Sequence, residues 1–247
     1  GFANVTEASS LGLHKTQALA VADLDQDGNL DILVGTQGST QDVILRGDGT
    51  GRFTDHAVEW GIVEPTSAMG FATVDVDDDG DLDLAITDGA MRGHTLYHRV
   101  GDGFEFVRYE DVDTPIVSGW GIGFHDFDHD GRLDLFVAAG EPYGDCEGGE
   151  QANVFYRGGE KDFEEAPAEG ALAEVANTRA AVFSDVDGDG DLDVLLSNVR
   201  EAPTLLRNDQ ADGNWLQVSL KHPTLDPVVG ARVEIDADGR TQRRWVV

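Results

Sequence analysis

Asp23-Leu24-Asp25-Gln26-Asp27-Gly28-Asn29-Leu30-Asp31 sets four carboxylates around one glycine within nine residues. The same D-x-D-x-D-G-x-x-D spacing returns from Asp75 to Asp83, from Asp126 to Asp134 and from Asp185 to Asp193. Solubility alone gives no reason for such a pattern to recur. A hard cation does, because Ca²⁺ takes six to eight oxygens at about 2.3–2.6 Å and needs a short loop that turns sharply and aims several carboxylates at one point.

Each copy supplies Asp at positions 1, 3, 5 and 9: Asp23, Asp25, Asp27 and Asp31; Asp75, Asp77, Asp79 and Asp83; Asp126, Asp128, Asp130 and Asp134; Asp185, Asp187, Asp189 and Asp193. Position 6 is Gly28, Gly80, Gly131 or Gly190, where the turn calls for a backbone conformation that a Cβ would penalise. Position 7 varies among Asn29, Asp81, Arg132 and Asp191. That variation fits a ligand donated by the backbone carbonyl, since an arginine side chain cannot ligate a cation. Four Ca²⁺ sites are therefore expected.

An EF-hand opens in the same way but closes on a bidentate Glu at position 12 and is flanked by helices. Here position 12 is Val34, Ile86, Val137 or Leu196. The flanks, such as Ala18-Leu19-Ala20-Val21, Ile32-Leu33-Val34 and Leu133-Asp134-Leu135-Phe136-Val137, are short apolar runs that suit buried strands. The cation loop thus joins two strands. First aspartates recur at intervals of 52, 51 and 59 residues, a spacing suited to arrays or propellers. Later strand and glycine-turn signals complete each repeat, among them Val43-Ile44-Leu45-Arg46 before Gly47-Asp48-Gly49, and Thr95-Leu96-Tyr97 before Gly101-Asp102-Gly103. The expected fold is all-β: β-propeller blades made of four-stranded antiparallel sheets, a partial propeller, and a short C-terminal β segment.

The cages and the turns that trail them resemble the FG-GAP/VCBS repeats of integrin alpha-like propellers over residues 1–208. Asn214-Trp215-Leu216-Gln217-Val218-Ser219-Leu220, followed by Val229-Gly230-Ala231-Arg232-Val233-Glu234-Ile235, resembles the start of an ASPIC/UnbV domain, giving a second segment at 209–247. The pair is similar to the cartilage acidic protein family and its bacterial relatives. The resemblance implies calcium-filled cages and a propeller used for adhesion or scaffolding, with no catalytic centre. Such propellers typically close seven blades, so a segment of a longer protein, or an open arc, is expected. Phe2-Ala3-Asn4-Val5-Thr6 reads as the last strand of a further blade.

The net charge is −31, of which the four nonapeptides carry −18 and the remaining residues −13. Four Ca²⁺ ions would return +8. The residual acidic surface argues against nucleic acid or an anionic membrane as partner. No apolar run is long enough to span a bilayer, so membrane insertion is not expected. Cys146 is the one cysteine, so no intrachain disulfide can form. Loops that need sub-millimolar to millimolar Ca²⁺ fill outside cells, which points to a secreted or cell-surface protein. The expected partner is a protein ligand, with a glycan, as in a lectin-like module or an accessory domain of a polysaccharide-active enzyme, as the alternative.

Other features have plainer readings. Arg46-Gly47-Asp48 spells an adhesion tripeptide, yet glycine-aspartate turns recur throughout. His94 and His98 lack the glutamate of a zinc-protease helix and read as a polar blade face. His129, at position 4 of the third cage, is expected to face solvent. Trp60, Trp120, Trp215 and Trp245 read as packing residues. Ser184 has no histidine partner at a recognisable spacing, and the conspicuous carboxylates are committed to cages, so the chain is expected not to be an enzyme.

Overall fold

The computed structural model describes residues 2–11, 15–38, 40–90, 93–107, 118–141, 151–159, 163–166, 170–209, 213–221, 230–237 and 239–246. The fold is all-β, and no α-helix occurs among these residues. Four small antiparallel sheets follow one another along the chain.

The first sheet is β1 (Thr16–Ala22), β2 (Asp31–Thr36), β3 (Val43–Gly47) and β4 (Phe53–Asp55), in that order. The second is β5 (Ala68–Val74), β6 (Asp83–Asp88), β7 (Thr95–Val100) and β8 (Gly103–Val107). The third repeats the meander with β9 (Gly119–His125), β10 (Asp134–Ala139), β11 (Val154–Gly158) and β12 (Phe163–Glu165). The fourth has three strands among the described residues: β13 (Thr178–Ser184), β14 (Asp193–Asn198) and β15 (Thr204–Leu206). These are propeller-blade sheets, and each nonapeptide joins a blade's first strand to its second.

Strands β6 and β10 are buried at every position, which their sequences DLAITD and DLFVAA anticipate. A strand covered on both faces must be apolar on both faces, so its sequence loses the alternation of a half-exposed strand. The first strands of the first and fourth blades do alternate, and Leu19 and Val182 face outward from β1 and β13.

The chain divides into two units. One holds residues 1–85, 95–108 and 220–247; the other holds 86–94 and 109–219. In the first, β5 packs against β1 and β2. Trp60 is buried beside Phe104, with the Arg99 guanidinium 5.4 Å from its ring centroid, and so packs against the second blade. In the second unit β13 lies on β9 and β10. Phe127, Phe136, Ala138, Val194 and Leu196 form the core there, with Phe155, Phe183 and Leu206 packed around them. Gly121 lets these blades approach closely, since a Cβ on it would stand 2.7 Å from the Ala181 backbone nitrogen.

A C-terminal hairpin, β16 (Arg232–Ala237) paired with β17 (Arg240–Trp245), completes the first unit and matches the expected C-terminal β segment. Residues 2–6 form no strand, contrary to the reading of a leading half-repeat. Phe2 is fully exposed, and the chain instead turns through residues 6–10, where the Ser9 carbonyl accepts from the Phe53 N–H. Cys146 lies outside the described residues.

Candidate metal centres

All four nonapeptides adopt one conformation, held by carboxylate-to-backbone hydrogen bonds. Asp at position 1 accepts from the glycine N–H at position 6: Gly28 to Asp23 at 3.0 Å, Gly80 to Asp75 at 3.1 Å, Gly131 to Asp126 at 3.0 Å and Gly190 to Asp185 at 3.1 Å. Asp at position 5 accepts from the N–H at position 7, at 2.8–3.0 Å in each loop. The position 6 glycines have φ between 87° and 102°, as the motif requires. Position 4 is also left-handed, at Gln26, Asp78, His129 and Gly188, although three of these carry side chains. The sequence offered no sign of that second turn.

Position 9 has a role that the motif did not disclose. In each loop this aspartate is almost fully buried and accepts two backbone N–H groups. Asp31 takes Leu24 and Gly47; Asp83 takes Val76 and Arg99; Asp134 takes Phe127 and Gly158; Asp193 takes Val186 and Asn208, all at 2.8–3.0 Å. The first donor is position 2 of the loop, and the second is the last or next-to-last residue of the blade's third strand, or in the fourth blade Asn208, two residues past it. One carboxylate thus fastens the loop to the sheet. Each of its oxygens keeps a lone pair free for a cation.

The residue just before that second donor is a base in every blade: Arg46, His98, Arg157 or Arg207. Each faces the position 3 aspartate of its own loop. Arg46 Nε lies 2.5 Å from Asp25 Oδ2, with Nη2 2.6 Å from Asp27; His98 Nδ1 is 3.1 Å from Asp77. Arg157 Nε stands 3.9 Å from Asp128, and Arg207 Nη1 3.8 Å from Asp187. The Arg46-Gly47-Asp48 tripeptide is therefore built into the first cage, with its guanidinium engaged and its glycine N–H tied to Asp31.

The donor set suits a hard cation. Asp23, Asp25 and Asp27 bring three carboxylate oxygens within 4.8 Å of one another, as do Asp75, Asp77 and Asp79. In the third and fourth loops the trios are Asp126, Asp128 and Asp134, and Asp185, Asp187 and Asp193. Asp23 Oδ1 and Asp75 Oδ1 are buried and accept no hydrogen bond. An anionic oxygen left so is costly without a cation to face it. Burial pushes the Asp31, Asp75 and Asp134 carboxyls up to about 6 and Asp83 to about 7, against the backbone hydrogen bonds, and neighbouring aspartates push the same way. Two carboxylates 4 Å apart repel by about 1 kcal/mol in water and about 4 kcal/mol at an effective dielectric constant near 20. A divalent ion would reverse that sign. Asp126, Asp130, Asp187, Asp189 and the position 7 residues Asn29, Asp81, Arg132 and Asp191 all lie in these loops.

Three histidines depart from expectation. His129 is not turned to solvent: its side chain is 9% exposed, lies 3.9 Å from Asp191, and packs where a Cβ on Gly213 would collide with it. His94 precedes β7 and is half-buried with its Nδ1 enclosed, and desolvation holds its imidazole down at about 4, whereas His98 reaches the second cage. Of the tryptophans, Trp60 and Trp120 pack as expected, Trp120 under the Arg179 guanidinium at 4.0 Å. Trp215 is half-exposed and lies on Gly190 of the fourth loop. The C-terminal hairpin meets the second loop through Arg240, 2.8 Å from Asp78, and Arg243, which donates to the Asp78 carbonyl.

Loops of this geometry, one per blade, define the class of protein: residues 23–86 and 75–137 match the FG-GAP-like repeat, and the chain carries such repeats on propeller blades. More particularly, it is similar to cartilage acidic protein 1. The human protein is 30% identical over 184 residues, 70% of this chain and 27% of that protein. Its counterpart in Xenopus tropicalis is 31% identical over 148 residues, 54% and 23% of the two chains, and that in Mus musculus 28% over 186 residues, 71% and 28%. The chain spans about a quarter of the length of these curated relatives. Among solved structures, an endo-arabinase from Bacteroides thetaiotaomicron VPI-5482 superposes with a TM-score of 0.44 at 12% identity, over 80% of this chain and 76% of that one. The Bacillus licheniformis rhamnogalacturonan lyase PL11 does so with 0.43 at 17% identity, over 80% and 41%. Likenesses this slight carry no argument about activity.

Proposed function

We propose that the chain is a calcium-binding extracellular interaction module in which one Ca²⁺ per blade locks the loop between first and second strands. The carboxylates at positions 1, 3, 5 and 9 and the carbonyl at position 7 would hold the ion. The observation that carries this reading is the pair of buried, undonated oxygens, Asp23 Oδ1 and Asp75 Oδ1, within carboxylate clusters whose backbone scaffold is repeated in every blade. A bound ion neutralises repulsion that otherwise opposes loop closure. Because it binds the folded loop and not the unfolded chain, it stabilises the blade by linkage, by about 2.7 kcal/mol per site when free calcium is a hundredfold above Kd.

Similarity to cartilage acidic protein 1 supports a non-catalytic role and a location outside the cell, where calcium is abundant. We further read residues 209–247 as the start of an ASPIC/UnbV-like domain. The partner would be a protein that docks on the calcium-stiffened loops; saturable binding on a glycan array would replace it with a sugar. No helix among the described residues is long and apolar enough to cross a membrane. Thermal unfolding tests the stabilising role: millimolar Ca²⁺ should raise Tm by several degrees over chelator. Identical melting in both conditions would discard it.

A further inference from the structure

The second cage differs from the others in one ligand, and the difference changes which metals it can hold. In blades 1, 3 and 4 the base that faces position 3 is arginine, a group with no lone pair to give a metal. In blade 2 it is His98, whose Nδ1 stands 3.1 Å from Asp77 Oδ2 and 3.8 Å from Asp83 Oδ1. Atoms of these three residues lie within 4.8 Å of one another. Ligands at about 2.0–2.2 Å in a tetrahedron are about 3.3 Å apart, a spacing the two measured distances bracket. The imidazole suits zinc and other first-row transition metals, whereas calcium prefers oxygen alone.

A hydrogen bond from His98 to Asp77 would account for the 3.1 Å contact by itself. It would not account for Asp75, whose side chain is fully buried in the same loop with Oδ1 accepting nothing. The Asp75 carboxylate lies within 4.8 Å of those of Asp77 and Asp79 and so stands beside the histidine-containing trio. The loop is also the most acidic of the four, with six aspartates in nine residues.

We propose that the second loop is a mixed nitrogen and oxygen site that takes a transition metal of the zinc class through His98, Asp77 and Asp83, with Asp75 alongside. The inference rests on the reading of the loops as metal cages, and it assigns to one of them a selectivity that the other three lack. Zinc at such a site would compete with calcium for the second blade alone.

Cobalt(II) reports histidine ligation through its visible absorption, so the test is a cobalt titration of the whole chain, followed by zinc displacement. One equivalent should give an intense band that zinc removes. His98→Arg, which installs the residue type of the other three blades, should abolish the band or weaken cobalt binding at least tenfold, while calorimetry still detects calcium in blades 1, 3 and 4. Should His98→Arg unfold, the imidazole resonances of the unaltered chain decide the matter, because substoichiometric zinc must shift those of His98 first. A band that persists in His98→Arg, or zinc that leaves His98 unshifted, overturns the assignment and leaves the calcium reading standing. Failure of calcium binding in every loop would overturn both.

Discussion

At the scale of single residues, the position 9 aspartates carry more of the structure than their place in a ligand motif suggests. Asp31 is fully buried and accepts from both Leu24 and Gly47, so Asp31→Ala leaves two buried N–H groups unpaired, at about 1–3 kcal/mol each. Urea denaturation in chelator should show a loss of about 2–5 kcal/mol; a loss below about 1 kcal/mol would mean that this tie is unimportant. Acidity acts on the same residues. Carboxyls raised to about 6 in the fold, as at Asp31, Asp75 and Asp134, take up protons there before they do in the unfolded chain, whose carboxyls titrate near 4. The folded state then binds more protons, so metal-free stability falls as pH rises through this range and grows as pH drops from 7 to 5. Protons and calcium compete for one set of oxygens, so the stabilisation by calcium should shrink over the same interval. Melting curves with and without chelator at both pH values would check this, and a chelated protein that melts lower at pH 5 would contradict it.

At the scale of elements, strand and loop were legible because they leave local marks. Leu33, Ile86 and Val137 sit in unbroken apolar runs that report burial on both faces, and Gly28 and its counterparts report a left-handed turn. The tie from Asp31 to Gly47 was not legible, since its partners are sixteen residues apart and its second donor is a backbone N–H that any residue supplies. The left-handed position 4 was hidden for a like reason, because Gln26, Asp78 and His129 do not advertise positive φ. Arg46, His98, Arg157 and Arg207 occupy one place in every repeat, and aligning the four repeats beyond the cage would have found them. Blade packing also permits a test. Phe136 is 1% exposed, between β9 and β13 neighbours that include Phe183 at 5.8 Å. Phe136→Ala should cost about 3–5 kcal/mol, and chemical denaturation showing less than about 1 kcal/mol would remove this core from the description of the third and fourth blades.

At the scale of the whole molecule, charge and fold are one problem. Four cages concentrate −18 of the −31 net charge into 36 residues, and the protein keeps them together with backbone donors, with one base per cage, and in the second loop with Arg240 and Arg243. Those devices do not reach Asp23 Oδ1 or Asp75 Oδ1. A divalent ion in each loop would complete the neutralisation and turn mutually repelling carboxylates into a ligand set that holds the loop. Isothermal titration calorimetry with calcium on the chelator-stripped chain measures this most directly. Four equivalents per chain, with affinity that weakens from pH 7 to pH 5, is the expected result; no binding at millimolar calcium would contradict it.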